Sequence, residues 1–536
     1  MQKKYYSLFV IALGSFLAWY LFSRASMLSM THDESGTTDL AVVPVLDIMF
    51  SPAQFQTANN HILHSLLMKF SILMFGYKEW AVRLPNLLSF FIYFAAAVYL
   101  VQQLSSNLWM RAASLVILCS VPYLLDFFAL ARGYGIANAF GMAAGVLLFA
   151  YFHNQKKKFL LPSFICAALA AYSNFTWLNL YLGLWATANL FTLLYRTNKE
   201  ESLFSSLFKV NLYPLLTVAL LALISYKPIS FLRTKDEFKW GAVNWSDSFH
   251  TFINDLLYGQ KIPPFSGELS HQLLFYGLPV LLLLGAGIAA WNHFNQSREE
   301  TVSSKTVLFF SSLLLIIVLG TVLQKHLLNT FYIDGRKATI YIPALVCFFV
   351  SLLSYAEEHF PGRGKALMYL SGFAAILQFG FTFNLSTCRE WWYDANSKEA
   401  IQFICKDSSV TDKKVALNWL FAPSFSFYNN HQLNQCIAGV IKTNEPNPYA
   451  NASYCYVIGD EIKSVPPEFR IVKRYFWDRF LLKKDMAAFE LEKQSIIKRD
   501  SAAFAGLSYE DQQRKVVEQL VQQLQQLNWN DVNWKD

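Results

Sequence analysis

Two adjacent carboxylates in Thr31-His32-Asp33-Glu34 follow the first long apolar run of this chain. An acidic pair held at a membrane surface suits work on a hydroxyl, a metal or a sugar, and the plainer alternative is a solvated loop acid. Two basic clusters lie far downstream. Arg132 and Tyr134 occur in Ala131-Arg132-Gly133-Tyr134, and Arg336 with Lys337 closes Tyr332-Ile333-Asp334-Gly335-Arg336-Lys337. The planar fork of arginine matches phosphate oxygens, so two forks near an acid suit a phosphate-bearing lipid. An arginine at a lipid boundary equally serves to snorkel or to anchor a helix. The placement of all three clusters on one face of a membrane favours function.

That placement follows from composition and charge. The chain has 536 residues, 54% hydrophobic and only 15% charged, with 47 Phe and 27 Tyr. Such a composition predicts an α-helical polytopic membrane protein. Hydrophobic windows predict about eleven spans. They lie near 5–22, 85–103, 110–125, 134–152, 159–172, 176–195, 207–226, 273–291, 306–322, 338–355 and 366–383. The net charge of +8 does not point to nucleic acid, because the basic residues sort into short loops on one side. Arg111, Lys156 to Lys158, Arg196 with Lys199, Arg298 with Lys305, and Arg363 with Lys365 mark that side as cytoplasmic. Lys3 and Lys4 place the amino terminus there too, as an uncleaved anchor, and the acidic pair emerges outside.

The outside receives the long segments. The first loop, 23–84, holds Ile62, Leu66, Phe70 and Leu73 at helical spacing, a pattern expected of an amphipathic helix lying in the interface. Beyond residue 385 polarity rises, and a small extracytoplasmic α/β domain is expected over 386–536, with residues 1–385 forming the membrane domain. In that domain 397–404 reads as helix, and 414–419, 455–458 and 469–476 read as strands. Ser508 and Asp511 mark a helix start, followed by an apolar stripe of Val516, Val517, Leu520, Val521, Leu524 and Leu527. Cys388, Cys405, Cys436 and Cys455 all fall in this part and could form two disulfides in three pairings. Cys119, Cys166 and Cys347 fall inside spans as small core residues.

The stretch from Asn59-Asn60-His61 through Arg83-Leu84-Pro85-Asn86 resembles the first-loop signature of the GT-C glycosyltransferases. Within them it is most similar to the bacterial branch related to protein O-mannosyltransferases and aminoarabinose transferases. Asp33-Glu34, Asn60-His61, Lys69, Phe75-Gly76, Glu79 and Arg83-Leu84-Pro85 follow the order and spacing of that family. Ala131-Arg132-Gly133-Tyr134 is similar to its Arg-x-Tyr element, and Arg336 before Ile342-Pro343 to its late arginine and proline-containing span. The likeness covers roughly residues 1–385. There are departures: Ile62-Leu63 replace the usual Pro-Pro, Ser65 replaces an aromatic, and Leu130 stands where an acid often precedes the Arg-x-Tyr. Asp126 lies in the same loop at a different spacing.

The resemblance implies an inverting transferase that moves a sugar from a polyprenyl-phosphate donor to an acceptor hydroxyl on a protein, glycan or glycolipid, at the outer face of a bacterial inner membrane. It implies Asp33 and Glu34 as the catalytic pair. Arg132, Tyr134, Arg336, Lys337, His61 and Asn60 would bind the donor. No cofactor is implied; a divalent cation is compatible with the acidic pair and is not expected to be required. The chain shows no Gly-rich turn after a strand of the kind that binds nucleotides. Two rival classes are a polysaccharide polymerase or ligase acting on lipid-linked glycans, and a transporter of such glycans. The transporter predicts charges near the bilayer midplane or repeated spans, and neither pattern is seen.

Overall fold

A computed structural model describes residues 3–195, 202–259, 267–295, 301–476, 478–500 and 504–526. Arg196, Lys199, Arg298 and Leu527 lie outside the described residues. The chain forms two compact units. The first comprises Met1–Met27 and Thr37–Leu385, and the second Leu28–Gly36 and Ser386–Asp536.

The first unit is helical. It contains α1 (Lys3–Met27), part of the short α2 (His32–Thr38), α3 (Val45–Phe50), α4 (Ile62–Phe75), α5 (Glu79–Leu104), α6 (Leu108–Cys119), α7 (Pro122–Phe128) and α8 (Gly133–Asn154). Then follow α9 (Leu160–Ser173), α10 (Leu178–Leu194), α11 (Leu203–Thr234), α12 (Trp245–Leu256), α13 (Gly267–Phe294), α14 (Val302–Leu328), α15 (Ile342–His359) and α16 (Pro361–Thr382). Among the described residues, seven helices are long and apolar enough to cross a membrane: α1, α5, α8, α11, α13, α14, and α15 with the turn before it. This is an integral membrane protein.

Each of the expected spans is helical, yet not all are full crossings by length and composition. The third is broken into α6 and α7, bent by 65°. Pro122 causes the break: it lacks an N–H, and Val121 before it is extended (ψ 110°) as a residue preceding proline prefers. The fifth and sixth become α9 and α10, of 14 and 17 residues, parted at Asn174, whose side chain accepts from the Thr176 N–H. Asn174 acts there as a helix cap. In α16, Arg363 and Lys365 sit in the opening turns and lower its hydropathy.

α8 is the centre of the unit, with 83% of its span buried against 17% for α11. Its Gly135, Ala137, Ala139, Gly141, Ala143 and Ala144 let neighbouring helices approach closely, the packing mode favoured where lipid supplies no hydrophobic drive. α4 fits the expected interfacial helix. Phe70, Leu73 and Met74 are exposed, while Ile62, Met68 and Ile72 are buried together with His64, Ser65 and Ser71, so the helix packs one face on the protein and leaves a second apolar face outward.

The second unit carries a five-stranded sheet of order β2-β1-β3-β5-β4, built from β1 (Lys414–Leu417), β2 (Gly439–Lys442), β3 (Tyr454–Ile458), β4 (Phe469–Tyr475) and β5 (Arg479–Lys484). β1 runs parallel to β2 and β3, and β5 is antiparallel to β3 and β4. Helices α17 (Ser397–Lys406), α18 (Ala422–His431), α19 (Met486–Arg499) and α20 (Tyr509–Gln526) complete it. The three expected strands are present. β2 and β5 were not legible: β2 is only half-buried and shows no alternation, and β5 (Arg479-Phe480-Leu481-Leu482-Lys483-Lys484) reads as a charged turn with an apolar centre. Val516 and Leu520 of the apolar stripe pack with Phe489, Ile496 and Phe504, and Ser508 accepts from the Asp511 N–H as a cap. Cys405 and Cys436 form a disulfide, one of the two expected, and Cys388 and Cys455 are buried.

Candidate functional site

The membrane unit gathers the basic residues around the start of α8. Arg132 is the N-cap of that helix and is 1% exposed. Its guanidinium donates to the Thr37 hydroxyl at 3.0 Å and to the Asn59 carbonyl at 3.3 Å. Gly133 follows because nothing larger fits: a Cβ there would lie 2.1 Å from the Ser173 carbonyl and 2.8 Å from the His61 ring. Tyr134 is buried and meets the His61 ring edge-on at 5.1 Å, with Phe127 and Trp177 on its other sides.

His61 links these residues to the late cluster. Burial holds its imidazole well below the usual histidine range, and the charges of Arg132, His64 and Arg336 push it the same way. The ring is therefore neutral at neutral pH, and its Nε2 has no hydrogen-bond partner among the described residues. Arg336 is half-buried in the turn leading to α15. So Arg132, Tyr134 and His61, drawn from two separate stretches, come together, and the charge of Arg336 acts on the same imidazole. Asn60 and Lys337 make contacts of their own. Asn60 donates to the Ile48 carbonyl and accepts from Ser65 Oγ, both at 2.9 Å, which ties the loop to α4. Lys337 pairs with Asp334 at 3.3 Å and donates to the Trp240 carbonyl.

Several motif residues are scaffolding. Lys69 donates to the Ala41 and Val43 carbonyls at 2.6 and 2.9 Å, and Arg83 donates to the Ala25 carbonyl at 2.9 Å near the end of α1. Asn86, which sequence reasoning passed over, clamps the approach to α8. Its amide donates to the Leu130 and Arg132 carbonyls, and its oxygen accepts from the Ile136 N–H. The signal was there, since Asn86 ends the Arg-Leu-Pro-Asn stretch, and an asparagine buried in a membrane helix needs partners. Asp126 is occupied too. Its carboxylate pairs with buried Arg24 at 2.6 Å and accepts from the Tyr258 hydroxyl at 3.0 Å, while Arg24 also donates to the Tyr20 hydroxyl. This buried pair joins α1, α7 and the segment after α12.

The acidic pair belongs to the second unit. Thr31 and Glu34 form a reciprocal cap: Glu34 Oε2 accepts from the Thr31 N–H at 3.0 Å, and Thr31 Oγ1 accepts from the Glu34 N–H at 3.4 Å. Thr-x-x-Glu is a capping box, and it was readable in Thr31-His32-Asp33-Glu34. Glu34 is fully buried in this role, whereas Asp33 is half-buried. The residue before it, His32, places its ring Nδ1 2.8 Å from the Leu420 carbonyl and its edge against Trp419.

No protein-family model and no curated protein matches this sequence. Among solved structures, the chain is similar to ArnT from Cupriavidus metallidurans in the apo state, at 11% identity and a TM-score of 0.42, over 89% of this chain and 98% of that one. The same protein bound to undecaprenyl phosphate aligns at 10% identity and a TM-score of 0.41, over 91% and 99%. The archaeal oligosaccharyltransferase AglB from Archaeoglobus fulgidus, in complex with an inhibitory peptide and a dolichol-phosphate, aligns at 13% identity and a TM-score of 0.42, over 85% and 69%. These likenesses are distant, and the chemistry proposed below rests on this chain's own residues.

Proposed function

We propose that this protein is an inverting glycosyltransferase that moves a sugar from a polyprenyl-phosphate donor to an acceptor hydroxyl on the extracytoplasmic side. The observation that carries the reading is the meeting of Arg132, Tyr134 and His61 in the membrane unit, with the charge of Arg336 acting on the same imidazole. Two guanidinium groups and a neutral imidazole suit a phosphate delivered from within the bilayer. In this reading Asp33 takes the proton of the acceptor hydroxyl, whose oxygen attacks the anomeric carbon. The bond to the phosphate oxygen breaks, and polyprenyl phosphate leaves with both electrons. Arg132 and Arg336 stabilise the charge that grows on it, and such preorganised electrostatics is usually the largest single contribution. General-base help from Asp33 contributes about 10²–10⁴-fold.

Glu34, bound into the capping box, supports Asp33 rather than moving a proton. In this reading a divalent cation is compatible with the acidic pair and not required, and chelation is expected to leave turnover intact. The Cys405–Cys436 disulfide supports an oxidising, extracytoplasmic location for the second unit. The test is incubation of purified full-length protein with a panel of radiolabelled polyprenyl-phosphate sugars and, in parallel, nucleotide sugars. Transfer from a polyprenyl-phosphate sugar with inversion at the anomeric carbon is expected. Transfer from nucleotide sugars alone, or net movement of the lipid-linked sugar across the membrane without transfer, would overturn the reading.

A further inference from the structure

The helix carrying Asp33 has seven residues, too few to stand by itself in water. Its position must come from contacts made elsewhere in the chain. Within the second unit those contacts converge on residues 394–428. Ser29 Oγ donates to the Ala395 carbonyl and accepts from the Lys398 N–H, and the Met30 N–H donates to the Tyr428 hydroxyl at 2.8 Å. The shortest contact lies at the helix start, where the His32 N–H donates to Asp394 Oδ2 at 2.7 Å across 362 residues of sequence. The first N–H groups of a helix have no partners inside it. Thr31 and Glu34 satisfy others of this end, and Asp394 satisfies that of His32.

Asp394 is itself held in place. It is 1% exposed, on the loop before α17. Behind it, the fully buried Arg479 of β5 donates to the Tyr393 carbonyl at 2.6 Å, to the Phe476 carbonyl at 2.9 Å, to the Trp392 carbonyl and to the Asn396 side chain. One planar cation thus fixes both shoulders of the loop that presents Asp394, a task that needs the arginine fork.

We propose that Asp394 is the positioning residue of the acidic helix: it holds the His32 N–H so that the Asp33 carboxylate is fixed for proton transfer, with Arg479 as its brace. This rests on the reading of Asp33 as the base. Burial raises the Asp394 carboxyl well above the usual carboxylate range, and Glu34 and Asp33 add to that rise.

The experiment uses full-length protein in lipid nanodiscs and the donor selected from the radiolabelled panel, with amide hydrogen exchange of residues 29–36 as a readout independent of activity. Asp394→Ala is expected to speed exchange at Asp33 and Glu34 and to lower turnover about ten- to a hundredfold, as misplacement of a catalytic group by about 1 Å does. KM for the donor stays the same. Asp394→Asn keeps an acceptor oxygen and restores both readouts. His32→Pro deletes the N–H together with the ring that meets Leu420 and Trp419, at a position where proline suits a helix start, and His32→Ala deletes the ring alone. His32→Pro reproduces Asp394→Ala relative to the His32→Ala control, and combining the two adds little. Unchanged exchange in Asp394→Ala overturns the proposal, as does faster exchange with normal turnover, failure of Asp394→Asn to restore, or full additivity with His32→Pro. If Asp394→Ala does not fold, judged by loss of the Cys405–Cys436 disulfide, the His32→Pro comparison decides. Normal turnover in Asp33→Asn instead sinks the proposed function, and the exchange data then separate that failure from one of Asp394 as a holder of the segment.

Discussion

Arg132 stands at the head of a membrane helix, clamped by Asn86, 46 residues earlier, and the partners that place it belong to the first unit. Asp33 stands on a short helix held through Asp394, Tyr428 and Ala395, from the other end of the chain. The basic cluster is built into rigid, buried architecture around α8. The acidic segment borrows its order from a separate α/β unit. The difference teaches that charge for binding a phosphate and a carboxylate for proton transfer can be placed by different sets of partners, one drawn from the helices around α8 and one lying hundreds of residues away in sequence.

The strongest break in that comparison is Asp126→Ala. It strands the buried Arg24 guanidinium, and removing one partner of a buried ion pair costs about 3–5 kcal/mol. The thermal transition of the full-length protein should fall, and an unchanged transition would show that the pair does not hold α1 to α7. Next come Arg132→Ala and Arg336→Ala, each expected to weaken donor use by about 1.5–3 kcal/mol, the worth of one charge-assisted hydrogen-bond partner. Arg→Lys should restore each only partly, because lysine lacks the two-pronged geometry. Normal donor titrations in both alanine variants would return these residues to helix anchoring. The smallest effect belongs to the capping box: Thr31→Ala should cost about 0.5–2 kcal/mol, read as faster amide exchange in α2 with donor affinity unchanged. A change in donor affinity there would merge the two regions into one.

How much was legible follows the same division. Long apolar runs announce spans because a bilayer demands about 20 apolar residues in a row, so α1, α5 and α8 stood out. Arg132, Tyr134, His61 and Arg336 were picked out as donor-binding residues from their placement on one face and from family resemblance, and that role belongs to the proposal. The carbonyl contacts of Asn60, Lys69, Arg83 and Lys337 were not anticipated, since such partners leave no trace in the sequence. Asp394 and Arg479 were invisible for a physical reason. The backbone partner of Asp394 lies 362 residues away, two of the carbonyls that Arg479 meets lie 86 and 87 residues away, and no local spacing encodes such a contact. The break at Pro122 and the capping box at Thr31 and Glu34 were readable from local rules alone.

The most direct measurement is on Asp33→Asn, which keeps size and most hydrogen bonding but cannot take up the acceptor's proton. Donor affinity and turnover should be determined on the same full-length sample in lipid, with the donor that the wild-type protein uses. Turnover should fall by about two to four orders of magnitude while donor affinity stays at the wild-type value. Near-normal turnover in Asp33→Asn, above all with activity abolished in Glu34→Gln, would contradict the account.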